Sequence, residues 1–400
     1  MKKSYKPNEK KPYKILMIAL FALFLAAMPI LTLIFNPSDP KPFSENENRY
    51  LSEFPKLSFE TYKNEKFMTG FDDWLSDRFY GREEWIAVKN SVDKLLGKTE
   101  NNGVFTENDM MMQIWKGYNE EIYGKNLKAV NNFIDNNSQI PCYFMLVPNA
   151  QEIYSENVPA YAEIGSQKDF IDRFYSDINK SVKAIDVYSA IYENKDSYLY
   201  YRTDHHWTSY GAFLSYTAAA DTLGYSSASY DDFDIEHASD SFRGTLFSKT
   251  LDKGVTPDTI DYYTLKDNEP QVKVSVFKEY DTKTGEIIYN KYDSLYFREF
   301  LEIKDKYSSF LGQNSPLVTV ENPTAKTDKS LLVIKDSYAH SLVPFLSKEY
   351  KKVTMIDLRY INTDFRVMAP IKDYDQMLFV YNVITFSEDE SNLLKLNMCK

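Results

Sequence analysis

Residues 331–341 read LLVIKDSYAHS and join a continuous apolar run to a polar turn and then to a helical pattern. A short apolar run bounded by turn residues is typical of a strand buried on both faces, so 331–334 is predicted to be a strand of a parallel sheet. Asp336 and Ser337 would form the turn, and residues 339–348 the helix that follows. Backbone N–H groups and the positive end of a helix can stabilise an oxyanion at such a turn, so Ser337 is a candidate nucleophile for acyl transfer. An ordinary Ser or Asp helix cap is the alternative.

The blocks around this stretch alternate in the same way between helical periodicity and apolar runs. Helical patterns cover 118–136, 168–180 and 207–223, and strand-like runs cover 142–148, 184–187, 353–357 and 376–381. This alternation predicts an α/β fold with a mostly parallel sheet flanked by helices, here assigned to residues 101–400. Between about 226 and 329 the segments become short and rich in polar and aromatic residues, which predicts an insertion of hairpins and loops.

The amino-terminal region contains an uncharged apolar run over residues 15–35. At ~1.5 Å per residue this run is long enough to span a hydrocarbon layer of ~30 Å, so it is predicted to be a transmembrane helix. Six lysines and one glutamate precede it, which predicts a cytoplasmic tail over 1–14 and an extracytoplasmic remainder in a single-pass cell-membrane protein. A cleaved signal peptide is the alternative, but the run exceeds a typical signal h-region and no small-x-small cleavage site follows it.

Residues 36–100 combine a Pro-, Asn- and Ser-rich connector with a helical region. Apolar residues recur at helical spacing over 59–96, which predicts two helices broken near Gly81.

The charge of the exported part excludes one class of partner. Without the six lysines and Glu9, the 47 basic and 58 acidic residues of the chain leave a net charge of about −16 outside the membrane, which disfavours nucleic-acid binding. Cys142 and Cys399 are far apart in sequence, and pairing between them is left open.

Two of the four histidines are adjacent and follow an aspartate, in the order Asp204, His205, His206. An aspartate two residues before a histidine can hold one imidazole nitrogen while the other faces a reactant. Neighbouring side chains in extended structure point opposite ways, so His206 is expected to share a side with Asp204 and His205 is not. His340 is a second candidate base, although one turn into its helix it is expected to point along the surface.

Two other interpretations of the histidine pair are open. Asp204 could cap the helix that begins near Trp207 while His205 packs in the core. Alternatively Asp204, His205 and His206 could bind a metal, but further ligands would have to come from His237 or scattered carboxylates without a recognisable spacing. No metal and no cofactor are therefore expected.

Residues 202–212, RTDHHWTSYGA, together with KDSYAHS at 335–341, resemble the signature of the DHHW family. That family is related to SGNH-hydrolase-like proteins of alginate O-acetylation. Further similar pieces occur in the same order along the chain: ENRYL at 47–51, LVP at 146–148, IY at 153–154, FRGTLFSK at 242–249 and LFVYN at 378–382. The resemblance implies an SGNH-hydrolase-like doubly wound fold in which Asp204 orients, His206 acts as base and Ser337 as nucleophile.

Two positions depart from the pattern of those relatives. Lys335 replaces the glycine that commonly precedes Asp-Ser, which could alter the turn or the approach of substrate. Asn149 begins the Asn-Ala-Gln stretch that stands where relatives often carry a lysine.

Several residues around the two motifs are candidates for binding substrate. These are Arg202, His205, Trp207, Tyr338 and Asn382, and Tyr200 and Tyr201 could also stack on sugar rings.

The expected function is O-acyl transfer or acetyl-ester hydrolysis on a cell-wall or extracellular polysaccharide. Acetyl-CoA is absent outside the cell, so the resemblance implies a membrane-bound O-acyltransferase as the partner that delivers the acyl group. Two other classes are open: a non-catalytic glycan- or wall-binding accessory protein with the same fold, and a zinc hydrolase.

Overall fold

The computed structural model describes residues 11–35, 42–44, 49–267, 269–281, 284 and 286–399. The chain divides into two compact units, Met1–Gly97 and Lys98–Lys400. The predictions about the basic tail over 1–10, and about the connector over 36–41 and 45–48, fall outside the described residues.

The described residues contain twelve α-helices, which are numbered in chain order. They are α1 Lys11–Ile34, α2 Phe59–Lys63, α3 Lys66–Arg78, α4 Arg82–Leu95, α5 Glu120–Asn136, α6 Ala150–Ile153, α7 Gln167–Asp177, α8 Tyr188–Tyr192, α9 Ser209–Leu223, α10 Thr245–Thr250, α11 Ala339–Leu346 and α12 Val383–Glu388.

Fifteen β-strands also lie within the described part of the chain. They are β1 Phe43–Ser44, β2 Arg49–Tyr50, β3 Glu100–Asn101, β4 Val104–Glu107, β5 Met110–Gln113, β6 Cys142–Val147, β7 Lys183–Ala184, β8 Phe233–Phe242, β9 Asp258–Leu265, β10 Lys273–Asp281, β11 Glu286–Tyr292, β12 Leu317–Glu321, β13 Thr327–Lys335, β14 Tyr350–Ile356 and β15 Gln376–Asn382.

The first unit begins with α1, whose segment Pro12–Ile34 is long and apolar enough to cross a membrane. The helical region that follows contains three helices rather than the predicted two. The break at Gly81, which has a φ of 67°, is confirmed. The additional break follows α2, where a capping box between Ser58 and Thr61 starts a five-residue helix that ends before Glu65 in the left-handed region.

The second unit is built around one eight-stranded sheet with the order β11-β10-β12-β14-β13-β15-β6-β7. The five strands from β14 to β7 are parallel, whereas β11, β10 and β12 pair antiparallel. The fold is therefore a mixed α/β fold. The hairpins and loops predicted between about 226 and 329 include the antiparallel pairs β8–β9 and β10–β11, and β10 and β12 also extend the central sheet past β14.

The parallel part of the sheet is buried on both faces, as its continuous apolar runs predict. In β13, Leu331 and Val333 join a core with residues of α9 and α11, while Leu332 and Ile334 join a second core with residues of α5, α7 and α12. Helices therefore cover both faces of the sheet. Each fully buried leucine or isoleucine contributes about 1.5–3 kcal/mol to this packing.

The strand predicted over 184–187 is shorter than expected. Only Lys183–Ala184 pairs as β7, and the Asp186 carboxylate then accepts hydrogen bonds from the amides of Tyr188 and Ser189 at the start of α8. An aspartate side chain that satisfies helix N–H groups favours the end of a strand here.

Cys142 and Cys399 are both buried free thiols. They do not form the disulfide that the sequence left open.

Three neighbouring parallel strands, β13, β15 and β6, end at the same edge of the sheet. Their carboxyl ends lead directly into Asp336–Ser337, Asn382 and Asn149. This edge is where an open α/β sheet commonly binds ligands, because side chains from adjacent turns converge there.

Candidate active site

The turn after β13 is held by the carboxylate of Asp336. Its Oδ1 accepts a hydrogen bond from the Tyr338 amide at 2.9 Å, and its Oδ2 accepts from the Asn382 amide at 2.7 Å and from Asn382 Nδ2 at 2.6 Å. Ser337 lies at the tip of this turn with 8% of its surface exposed. It does not cap α11, and among the described residues its own N–H has no hydrogen-bond partner.

The histidine segment follows a bridge between Tyr200 and Trp207. The Trp207 indole donates hydrogen bonds to the Tyr338 carbonyl at 3.1 Å and to Ser341 Oγ at 2.8 Å, which ties this segment to the turn of Ser337. Trp207, Tyr200 and Tyr201 are completely buried. The expectation that these rings stack on a sugar is therefore wrong, because they form the core beneath the site.

His206 connects the two sequence motifs. Its Nε2 lies 2.7 Å from Ser337 Oγ, and its Nδ1 lies 2.5 Å from Asp204 Oδ1. A carboxylate oxygen only accepts, so Nδ1 carries the proton and Nε2 accepts from the serine hydroxyl. The three side chains predicted to work together thus form one hydrogen-bonded line, although His206 and Ser337 are 131 residues apart in sequence.

Asp204 is buried and held by a segment that sequence reasoning did not include among the site residues. Its Oδ2 accepts hydrogen bonds from the Thr245 amide at 2.7 Å and from Thr245 Oγ1 at 3.0 Å. Although burial alone would raise the pKa of Asp204, the neighbouring imidazoles and these hydrogen bonds lower it below the usual range. Asp204 therefore stays ionised. It does not cap α9, because the N-cap of that helix is Thr208.

Gly244 makes this contact possible. A Cβ at that position would lie 2.2–2.5 Å from atoms of the Asp204 side chain. The FRGT stretch noted in the sequence thus contains a glycine that the carboxylate needs for close approach.

His205 lies beside His206 rather than on the opposite side. The two ring centroids are 3.9 Å apart, because residues 202–206 form bends and not an extended strand. His205 Nδ1 lies 2.7 Å from Thr245 Oγ1, and burial together with His206 lowers the pKa of His205. Its ring, a quarter exposed, lines a cavity of about 370 Å³ with Thr245, Lys249, Arg359 and Asn382.

Tyr307 is a site residue that the sequence did not reveal. Its ring stacks on His206 with a centroid distance of 3.8 Å and an angle of 9°, and its hydroxyl donates to the Ser337 carbonyl at 3.0 Å. It lies in a short 3-10 helix, Lys306–Ser309, without a motif, in a chain with 32 tyrosines. No local signal distinguished it from an ordinary core tyrosine.

The candidates Tyr338 and Asn382 form a buried polar layer beneath the site together with Asn149. The Tyr338 hydroxyl donates to the His205 carbonyl and accepts from Asn149 Nδ2 at 2.9 Å. Asn149 Nδ2 also donates to Asn382 Oδ1 at 3.2 Å, and Asn382 caps α12. Asn149, the departure noted in the sequence, therefore supplies structural hydrogen bonds, and Asn382 both holds the turn and lines the cavity.

Arg202 is directed elsewhere. Its guanidinium lies over the ring of Tyr198 and 3.5 Å from Asp109, and its side chain does not line the cavity beside His205. Its amide and that of Thr203 donate to Asp258, which holds the histidine segment in place.

His340 and Lys335 are both buried. The expectation that His340 points along the surface is wrong, because its Nδ1 lies 2.9 Å from the Phe310 carbonyl and its Nε2 lies 2.7 Å from Lys335 Nζ. Lys335 also contacts Asp357 at 2.9 Å, so its side chain points into this network and not toward Ser337.

Asp204, His205 and His206 also offer three ligand atoms within 4.8 Å of one another in the described part of the chain. Each of these residues already has a protein partner: the carboxylate holds His206, and His205 contacts Thr245. This donor set does not include the fourth protein ligand of a closed structural zinc site.

The fold and this geometry define the class of the protein: an α/β protein with a serine, a histidine and an aspartate in line at the carboxyl edge of a parallel sheet. The model of the DHHW protein family matches residues 47–110 and 104–356, and the chain belongs to the DHHW family.

Solved structures support the fold. A DHHW family protein from Eubacterium siraeum is 20% identical with a TM-score of 0.61, covering 74% of this chain and 96% of that one. PatB1 from Bacillus cereus is 22% identical with a TM-score of 0.60, covering 73% and 99%. A second PatB1 structure, with a sulfonyl adduct, is 21% identical with a TM-score of 0.59 and the same coverage. A comparison with curated proteins finds no significant match.

Proposed function

We propose that this chain is a membrane-anchored, extracytoplasmic O-acyltransferase or acetylesterase that acts on a cell-wall or extracellular polysaccharide. The observation that carries the proposal is the line from Asp204 through His206 to Ser337, with distances of 2.5 and 2.7 Å. A separation of more than about 5 Å between Ser337 Oγ and the imidazole would have favoured a non-catalytic accessory protein. We also infer that the mixed α/β domain is of the SGNH-hydrolase-like, doubly wound type, as the family resemblance implies.

The chemistry follows from the protonation of this line. Ser337 Oγ attacks the acyl carbon of the donor while His206 Nε2 takes its proton, and Asp204 stabilises the imidazolium that forms. The free N–H of Ser337 is a candidate donor to the oxyanion. His206 then returns the proton to the leaving group. Attack of a sugar hydroxyl on the acyl-serine gives transfer, and attack of water gives hydrolysis.

The source of the acyl group and the membrane topology of the chain belong to the same proposal. Helix α1 would anchor the chain with its amino end in the cytoplasm and the α/β domain outside. A membrane-bound O-acyltransferase would then deliver the acyl group. His205 and the cavity beside it would contact the polysaccharide.

The test uses the full chain in detergent and a chromogenic acetyl ester. We expect Ser337→Ala and His206→Ala to lower kcat by at least about 10³-fold, because the nucleophile and its base act as one unit. His237→Ala is the matched control, since His237 is exposed and lies against Asp261, away from Ser337 and His206. Equal turnover by the wild type and all three variants would contradict the proposal.

A sulfonyl fluoride supplies a second measurement, because such reagents sulfonylate activated serines, and a PatB1 structure contains a sulfonyl adduct. We expect one adduct per chain, on Ser337, and none in Ser337→Ala. Activity that is lost with a chelator and restored by zinc, with no adduct on Ser337, would favour the zinc hydrolase instead.

A further inference from the structure

Lys335 is a buried charged residue that the proposed reaction does not use. It lies two positions before Ser337, with its side chain 1% exposed and its Nζ 2.9 Å from Asp357 Oδ2. Burying an ammonium group costs several kcal/mol unless it is paired and hydrogen-bonded. Asp357 supplies the paired charge, and His340 Nε2, at 2.7 Å, supplies a further acceptor.

His340 extends the contact of Lys335 into a chain of hydrogen bonds in which each donor and acceptor is fixed. The Phe310 carbonyl, 2.9 Å from Nδ1, can only accept, so Nδ1 carries the proton and Nε2 accepts from Lys335. Burial and the adjacent Lys335 lower the pKa of His340 well below its usual value, which keeps the imidazole neutral. A single hydrogen-bonded line therefore runs from Lys335 through His340 to Phe310.

Phe310 ends the segment that contacts the His206 ring and the Ser337 backbone. Its amide donates to the Tyr307 carbonyl at 3.1 Å. The Tyr307 ring stacks on His206 at 3.8 Å, and its hydroxyl donates to the Ser337 carbonyl at 3.0 Å. The hydrogen-bonded line that begins at Lys335 thus leads through Phe310 and Tyr307. There it reaches Ser337 and His206, the two partners of the reacting hydrogen bond.

We propose that Lys335 and His340 are a positioning pair that locks the segment around Tyr307 onto the turn of Ser337, and so fixes the imidazole of His206 against the serine hydroxyl. The pair touches neither substrate nor the reacting atoms. Its effect on rate rests on the proposed nucleophilic role of Ser337.

The variants separate positioning from stability. His340→Phe and Lys335→Met remove the line, whereas His340→Gln keeps one donor and one acceptor on a side chain of similar reach. Lys348→Met is the matched control, because Lys348 is a buried lysine that pairs with Glu269 and has no hydrogen bond to the site.

Two measurements are made on the full chain in detergent. One is the rate at which phenylmethanesulfonyl fluoride modifies Ser337, followed by intact mass. The other is the His206 ring resonance in histidine-labelled protein, which needs only four signals to be assigned. The resonance reports stacking on Tyr307 without requiring activity.

We expect His340→Phe and Lys335→Met to slow labelling by about 10- to 100-fold, because a displacement near 1 Å is enough for such a loss. The His206 resonance should move downfield as stacking on Tyr307 is lost. His340→Gln should stay within about threefold of the wild type, Lys348→Met should change neither readout, and the double variant should be no slower than the slower single one.

Wild-type labelling rates and unchanged His206 resonances in both Lys335→Met and His340→Phe would overturn the positioning role. If His340→Phe does not fold, Lys335→Met against Lys348→Met supplies the same comparison. If the wild type itself is not labelled at Ser337, the proposed function fails, while a shifted His206 resonance in Lys335→Met would still support the positioning pair.

Discussion

Asp204 receives its hydrogen bonds from a backbone that approaches within reach only because residue 244 is a glycine. The carboxylate and His206 are neighbours in sequence, but their orientation depends on Gly244 and Thr245 some forty residues later. At the scale of single residues, the site is therefore sensitive to positions that carry no reactive group.

We expect Gly244→Ala to lower kcat by about 10²-fold, because the new Cβ would overlap the Asp204 side chain and displace it. The measurement is ester hydrolysis together with Ser337 labelling. Gly124→Ala is the control, since Gly124 lies inside α5 with no atom within 4 Å of an added Cβ, and it should stabilise the chain by up to about 1 kcal/mol. Full activity in Gly244→Ala would show that Asp204 does not need this contact.

We expect Asp204→Asn to lower kcat by about 10³–10⁴-fold with little change in KM. An amide cannot hold the Nδ1–H tautomer of His206 as the carboxylate does, which is the effect known for orienting aspartates. The matched control is Asp261→Asn, which replaces the carboxylate that lies 2.6 Å from Nδ1 of the exposed His237. Comparable losses in the two variants would argue against a specific orienting role.

At the scale of elements, an ion pair joins the end of the connector to α3. Arg49 donates two hydrogen bonds to Asp77, at 2.9 and 2.6 Å, and the Ser52 amide and hydroxyl each donate to Asp77 Oδ2 at 2.8 Å. Burial opposes ionisation, but these partners lower the pKa of Asp77 to about 2. The connector is thus tied to a helix whose own sequence shows only amphipathic periodicity.

A lowered pKa makes this tie dependent on pH. The contribution of this contact to the free energy of unfolding is fully present above the unfolded aspartate pKa of about 3.9. It is lost as the pH falls toward 2. We expect the Ser52 amide to exchange hydrogen faster in Asp77→Asn than in the wild type at pH 6, with the ratio of rates approaching one near pH 2. Asp72→Asn, on the same helix, is the control. A ratio of one at pH 6 would contradict the prediction.

At the scale of the whole molecule, the amino-terminal tail and the α/β domain are predicted to lie on opposite sides of the membrane. The length and apolar composition of α1 support a membrane span. We expect a membrane-impermeant maleimide to label Lys253→Cys in intact cells and Ser4→Cys only after lysis. The native Cys142 and Cys399 are 4% and 2% exposed and should give little background. Labelling of Ser4→Cys in intact cells would reverse the proposed orientation.

Much of this protein could be predicted from local sequence. The apolar runs identified β6, β13, β14 and β15, because a strand buried on both faces needs apolar residues at every position. The motif around Asp204 and the Asp336–Ser337 turn identified the three side chains that the structure places in line. The 226–329 region was harder, since short alternating segments do not reveal whether they pair with each other or with the edge of a larger sheet.

The sequence by itself determined an apolar stretch long enough to span a membrane, the α/β character and the family, because each depends on local composition or on a motif read in order. Only the tertiary structure decided which polar groups meet. It placed Gly244 against Asp204, Tyr307 on His206 and the Lys335–His340 pair behind Ser337. The first two contacts join residues about 40 and about 100 positions apart, and they form only when the sheet brings its strand ends and loops to one edge.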